Sequence, residues 1–263
     1  MTHEFWNAQF QFSAILPDFE ACLADLAARS DAFARGRVFN RMPYGPDPRQ
    51  WIELTCGSGA PDILPVVIHG GYWRALKAEN HRAMMQGLTG LGAQVGNVEY
   101  RLMPHVRLNE VVTDVTAGLS LLADRHPNSQ LLLIGHSAGA HLAISALDFP
   151  KLAARVAGVI AISGIYELWP VTQCFLQNEL GLTPSEVDAF SHTPERPRPP
   201  VLYLTGADET YEFRRQSARM AQGSRTAWQH INNTHHLTVP LAATTETAAR
   251  AALTILRNLE TAS

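Results

Sequence analysis

Residues 131–143 read LLLIGHSAGAHLA, four aliphatic side chains running straight into Gly135-His136-Ser137-Ala138-Gly139. The aliphatic run has the pattern of a buried strand, and the residues after the serine have that of a helix. A G-x-S-x-G sequence in that setting places its serine on a sharp strand-to-helix turn, with the hydroxyl pushed out at the top of a sheet. Both glycines are required because side chains there would collide with neighbouring backbone. The helix start brings partial positive charge and the N–H of Ala138 beside the hydroxyl, where an oxyanion would form. Ser137 is the candidate nucleophile.

Upstream, residues 64–69 (LPVVIH) read as a short buried strand followed at once by Gly70-Gly71-Tyr72-Trp73. A His-Gly-Gly turn after a core strand lets backbone N–H groups point at a developing alkoxide. The expected oxyanion donors are Gly70, Gly71 and Ala138. A base and an acid must follow, in the chain order Ser, acid, His. Residues 200–205 (PVLYLT) form a strand that ends in Gly206-Ala207-Asp208-Glu209, so two adjacent carboxylates compete for the acid. Residues 226–231 (TAWQHI) read as the last strand, and the polar loop after it holds His235 and His236. One of these two is the candidate base.

Composition narrows the class. The chain has 263 residues, 46% hydrophobic and 17% charged, so it can bury one large α/β core and is not disordered. Net charge is −3 with no long basic run, which argues against nucleic acid and anionic membranes as partners. The start of the chain lacks the pattern of a secretory signal, and no apolar stretch approaches 18 residues. Cys22, Cys56 and Cys174 are scattered without ligand spacing and are expected to be reduced core residues of a cytoplasmic protein.

Strand and helix patterns alternate along the chain, which implies parallel pairing through right-handed crossovers. A single domain over 1–263 is expected: a mostly parallel twisted sheet with helices on both faces. An N-terminal helix within 14–35 buries Phe19, Cys22, Leu23, Leu26, Ser30 and Phe33. Residues 42–49 form a turn before a strand at 51–55; residues 77–91 are helical and 94–100 a strand. A helix over 109–124 takes Asn109 as its cap. Gly90-Leu91-Gly92 follows a helix rather than a strand, so it reads as a helix terminus and not a dinucleotide loop. Residues 165–199 break the alternation. Thr183-Pro184-Ser185-Glu186 there has the pattern of a capped helix start, and the whole insertion is expected to sit above the site as a small cap.

At HGGYW, GHSAGAHL and GADETYEFRRQS the chain resembles the kynurenine formamidase (arylformamidase) branch of the α/β hydrolases, near the hormone-sensitive-lipase-like esterases. Glu99-Tyr100-Arg101-Leu102 followed by Pro104 is similar to a turn of that wider group. The resemblance runs from about Tyr44 onward. It implies an α/β-hydrolase fold, Ser137 as nucleophile, the Gly70/Gly71 loop as oxyanion donor, and no cofactor or metal. In the family the acid lies four residues before the phenylalanine of the EF-x-RQS-like stretch, which points to Glu209 rather than Asp208. Its histidine directly precedes a phenylalanine, which points to His236, before Leu237, rather than His235.

The expected reaction is acyl transfer to water on a small-molecule substrate. An N-formyl or N-acyl aryl amide, N-formylkynurenine first, is the leading substrate class. Tyr72, Trp73, His141, Tyr166 and Trp169 are the expected pocket residues. A carboxylesterase of small acyl esters is the alternative, and a non-catalytic ligand-binding protein of the same fold is the remote one. His69, His136 and His141 lack partners at metal spacing and are read as packing residues. Oligomeric state is left open, a homodimer included.

Overall fold

The computed structural model describes residues 1–57, 62–90, 94–195 and 199–261. Among the described residues eight strands form one sheet in the order β1-β2-β4-β3-β5-β6-β7-β8. They are β1 (Phe39–Pro43), β2 (Trp51–Thr55), β3 (Ile63–Ile68), β4 (Gly96–Val98), β5 (Gln130–His136), β6 (Val156–Ile162), β7 (Val201–Gly206) and β8 (Thr226–Ile231). β2 runs antiparallel to both β1 and β4, and all other pairs are parallel. The expected mostly parallel α/β sheet is what forms.

Successive side chains of a strand point to opposite faces, and here both faces are buried. Leu131 and Leu133 of β5 enter one core cluster while Leu132 and Ile134 enter the other. Val66 and Val67 of β3 divide the same way, as do Tyr203 and Leu204 of β7. The helix Leu108–Arg125 covers the first face through Leu108, Val111, Val115, Leu119 and Leu122, spaced three or four apart. The helix Glu246–Thr261 covers the second through Ala249, Ala252 and Leu256. Parallel strands covered this way bring their carboxyl ends to one rim, where the loops that build a site gather.

Local differences from the sequence reading have identifiable causes. The helix expected to begin at Asn109 begins at Leu108, and Arg107 is its cap residue. The Arg107 N–H donates to Glu110 Oε2 at 2.8 Å, which leaves Asn109 inside the first turn. Residues 78–84 form a 3₁₀ segment (Ala78–Met84) before the α-helix Met85–Thr89, and Gly90 ends it. Residues 91–93 lie outside the described residues. Thr183 caps Pro184–Phe190 as expected: its Oγ1 accepts from Glu186 N–H at 3.2 Å, and Glu186 Oε2 accepts from Thr183 N–H at 2.9 Å. β1 has no counterpart in the sequence reading, whose turn at 42–49 overlaps only its last two residues. Neither do two short helices, His3–Phe10 and Phe12–Ile15, that precede Phe19–Ala34.

The elbow glycines have measurable constraints. A Cβ on Gly139 would lie 2.1 Å from the Ile68 carbonyl oxygen, and one on Gly135 would lie 2.3 Å from that of Gly139. Both clashes are against backbone, which cannot rotate away. Gly139→Ala is therefore expected to destabilise the fold by about 2 kcal/mol or more. Thermal unfolding of the purified variant checks this, and an unchanged Tm contradicts it.

Candidate active site

Ser137 sits between β5 and the helix Ala138–Ser145 with φ 56° and ψ −121°. A non-glycine residue in the left-handed φ region is strained, and such strain persists only where the surroundings over-determine it. Here the surroundings are Ile162, whose carbonyl accepts from Ser137 N–H at 2.8 Å, and the two glycine contacts. Ser137 lines a cavity together with Gly71, His136 and His236.

The His-Gly-Gly turn meets this elbow closely. A Cβ on Gly70 would lie 3.1 Å from the Ser137 Cβ, and Gly71 has φ +108°, open only to glycine. Tyr72 and Trp73 continue the left-handed winding with φ 51° and 59°. Ala138 is the first residue of its helix, so its N–H has no acceptor one turn back within that helix. Gly70, Gly71 and Ala138 are thus gathered around the serine.

His236 comes from the loop after β8. His236 Nε2 lies 3.0 Å from Ser137 Oγ, and His236 Nδ1 is hydrogen-bonded to Glu209 Oε1. The other Glu209 oxygen accepts from Ser163 Oγ at 2.6 Å and Gly206 N–H at 3.2 Å. All three of Ser137, His236 and Glu209 are buried. The β7 and β8 loops can close on each other because residue 206 is glycine: a Cβ there would lie 2.3 Å from the Thr234 carbonyl oxygen. Asp208, the neighbouring carboxylate, is exposed, and its N–H donates to Thr234 O at 2.9 Å. His235 turns away, with Nε2 3.4 Å from Asp18 Oδ2. Of the competing pairs, the structure brings together Glu209 and His236.

Further histidines near the site pack and hold backbone. His136 Nε2–H donates to the His236 carbonyl at 3.0 Å, and burial holds its pKa well below the usual histidine value, so the ring is neutral. His69 Nδ1–H donates to the Gly70 carbonyl at 2.8 Å, and His141 Nε2–H donates to Phe190 O at 2.8 Å. Burial, with His69 adding to it, pushes His81 down to about 3. Among the described residues, Asp18, Cys22 and His235 form a group of three donor side chains with ligand atoms within 4.8 Å of one another. Leu237 N–H donates to His235 Nδ1 at 3.3 Å, which puts the ring proton on Nε2 facing Asp18. Cys22 Sγ–H also donates to Asp18, at 3.2 Å.

The expected pocket residues are corrected at four of five positions. Tyr72 lines the cavity. Trp73 is fully buried, edge-on to His141 with ring centroids 5.1 Å apart, and His141 is buried with it. Tyr166 is fully buried against Tyr203. Trp169 faces outward and is 55% exposed, edge-on to Trp6. The aromatic wall comes instead from the N-terminal segment, through Phe10, Phe12 and Phe19, and from Phe175 of the 165–199 segment. The sequence signal was the run FWNAQFQF at 5–12, which has no clean period because it folds as two short helices. The cavity holds about 190 Å³. One of about 150 Å³ takes up benzene, so an aromatic ring fits.

The sequence profile of an α/β-hydrolase-fold family matches residues 65–198, just over half of the chain. The chain belongs to this α/β-hydrolase family. The match takes in Ser137 and the Gly70/Gly71 turn, while Glu209 and His236 lie beyond it. Kynurenine formamidase of Danio rerio is 26% identical over 219 residues, covering 75% of this chain and 74% of its own. That of Salmo salar is 24% identical over 256 residues, covering 89% and 86%. An isoprenylcysteine alpha-carbonyl methylesterase of Arabidopsis thaliana is 32% identical over 124 residues, which is 44% of this chain and 29% of that protein. The crystal structure of a protein assigned as a thioesterase, from Silicibacter sp. tm1040, superposes with a TM-score of 0.85 at 22% identity, covering 94% and 98%. Esterase B of Lactobacillus rhamnosis superposes at 0.68 with 20% identity, covering 95% of each chain. The resemblance to the kynurenine formamidase branch thus extends over most of the chain, and family and relatives together identify a hydrolase. Among the described residues no helix is long and apolar enough to cross a membrane.

Proposed function

We propose that this α/β hydrolase is a serine hydrolase that cleaves a small N-formyl or N-acyl aryl amide through an acyl-enzyme on Ser137. The observation that carries the reading is the continuous array from Ser137 Oγ through His236 to Glu209, opening on an aromatic cavity. Ser137 Oγ attacks the carbonyl carbon while His236 Nε2 takes its proton. Glu209 holds the imidazole by its Nδ1–H and balances the charge that forms. Backbone N–H groups of Gly70, Gly71 and Ala138 stabilise the oxyanion. His236 then protonates the leaving nitrogen, the C–N bond breaks and the arylamine departs. Water, deprotonated by His236, attacks the acyl carbon and frees the acid, and the proton returns to Ser137. The unpaired cysteines favour a reducing compartment such as the cytoplasm.

The apolar lining favours a planar leaving group. Phe10, Phe19, Phe175 and Tyr72 line the cavity, and each aromatic contact with a planar leaving group contributes about 1 kcal/mol. Two such contacts amount to about tenfold or more in kcat/KM for formyl-arylamines over short aliphatic formamides. N-formylkynurenine is the first compound to assay. The partial similarity to a methylesterase supports the alternative reading as a carboxylesterase. A panel of aryl formamides, aryl amides and aliphatic esters separates the two. Efficient ester cleavage with negligible turnover of every aryl amide would leave only the esterase reading.

A further inference from the structure

Phe12 lies face to face with the imidazole of His236: ring centroids are 4.2 Å apart and the planes differ by 13°. Phe213 meets the same imidazole at 4.4 Å, tilted, and touches Phe12 at 5.5 Å. Tyr72 stacks beyond Phe12. Phe12 is almost wholly buried, yet it belongs to a four-residue helix near the start of the chain, remote in sequence from the loop that bears His236.

That segment is pinned from several sides. Tyr72 Oη donates to the Phe10 carbonyl at 2.7 Å, and Phe175 N–H donates to Asn7 Oδ1 at 2.8 Å. Thr210 Oγ1 donates to the Gln9 carbonyl at 3.0 Å, and Glu212 N–H donates to Gln9 Oε1 at 3.1 Å. These bonds tie the segment to the oxyanion turn, to the 165–199 insertion and to the residues just after Glu209. A four-residue helix has no stability of its own, so its geometry is imposed by these contacts.

We infer that Phe12 is a positioning residue for His236, fixing the plane of the imidazole between Ser137 and Glu209 and favouring its protonated form. The inference rests on the reading of His236 as the base. The face of a benzene ring is electronegative and attracts a cation within about 6 Å of its centroid, whereas a neutral imidazole gains only packing. The contact therefore strengthens as His236 takes the proton of Ser137, the kind of difference that accelerates a reaction. The other groups around the ring are accounted for. Glu209 faces Nδ1 and the Ser137 hydroxyl faces Nε2. His136 is neutral with its Nε2–H on the His236 carbonyl, Tyr72 Oη is engaged with Phe10, and His235 turns to Asp18. Glu209 supplies the charge and Phe12 the π face.

The test compares pH profiles of kcat/KM for the wild type, Phe12→Leu, Phe12→Tyr and enzyme carrying pentafluorophenylalanine at position 12. Phe12→Leu keeps an apolar side chain without a π face and is expected to move the acid-side midpoint down by about 0.5 pH. Phe12→Tyr retains the face and is expected to keep the wild-type midpoint. Pentafluorophenylalanine keeps the ring shape with its polarity reversed and is expected to lower the midpoint further than leucine does. If Phe12→Leu fails to fold, the tyrosine and pentafluoro enzymes still decide. Midpoints that do not respond to leucine or to fluorination overturn the inference, and leave the proposed function standing provided Ser137→Ala is inactive. An active Ser137→Ala enzyme would instead remove the reading on which the inference rests.

Discussion

Ser137→Ala is expected to lower kcat by about 10³-fold or more while leaving the fold intact, because the oxyanion donors and the cavity remain when the nucleophile is lost. The structural argument for an intact fold is local. The Ser137 hydroxyl has one hydrogen-bond partner among the described residues, His236. Alanine keeps the Cβ, so the strained φ of 56° costs the same in both proteins. The unfolding midpoint should therefore stay within a few degrees of wild type. Mass spectrometry supplies an independent reading: an alkyl phosphonate should add covalently to the wild type and not to the variant. Wild-type turnover by Ser137→Ala would remove the acyl-enzyme mechanism altogether.

The Ser137 elbow was legible in the sequence because its strand, turn and helix start lie within thirteen consecutive residues. The aliphatic run is a strand, the alanine-rich run is a helix, and two glycines mark the places where backbone approaches backbone. The residues alone left Asp208 and Glu209 competing, and Glu209 was singled out only through the family resemblance, by its distance from Phe213. Phe213 sits in the first turn of the following helix (Tyr211–Met220) and packs on the His236 ring, so the acid and the phenylalanine address the same imidazole. The pocket was not legible. Aromatic residues near the motifs were a sound list of candidates, but direction is a tertiary property. Left-handed winding through Gly71, Tyr72 and Trp73 sends Tyr72 to the cavity and Trp73 into the core. The phenylalanines that do line it come from the start of the chain, where short helices break the period on which pattern reading depends. The positive φ values of Tyr72 and Trp73, and the place where the 5–12 run docks, cannot be read from the residues around them.

Glu209→Gln should cost about 10⁴-fold in kcat, the effect expected when a triad carboxylate becomes an amide and the imidazole takes the wrong tautomer. The hydrogen bonds around Glu209 specify why. Its Oε2 accepts from Gly206 N–H and Ser163 Oγ, while Oε1 faces His236 Nδ1. A backbone N–H cannot reverse its role, so the amide oxygen of glutamine stays on Gly206 and its NH₂ turns to the imidazole. His236 Nδ1 must then accept, which leaves the proton on Nε2, the atom that has to receive the proton of Ser137. The base is blocked although every heavy atom keeps its place. Asp208→Asn changes an exposed side chain outside this network and should leave kcat within about twofold, as ordinary surface substitutions do. The two variants are measured side by side under saturating substrate. A severe loss in Asp208→Asn with a mild one in Glu209→Gln would mean that the working enzyme draws its acid from the exposed carboxylate, and that the β7 loop rearranges when substrate binds.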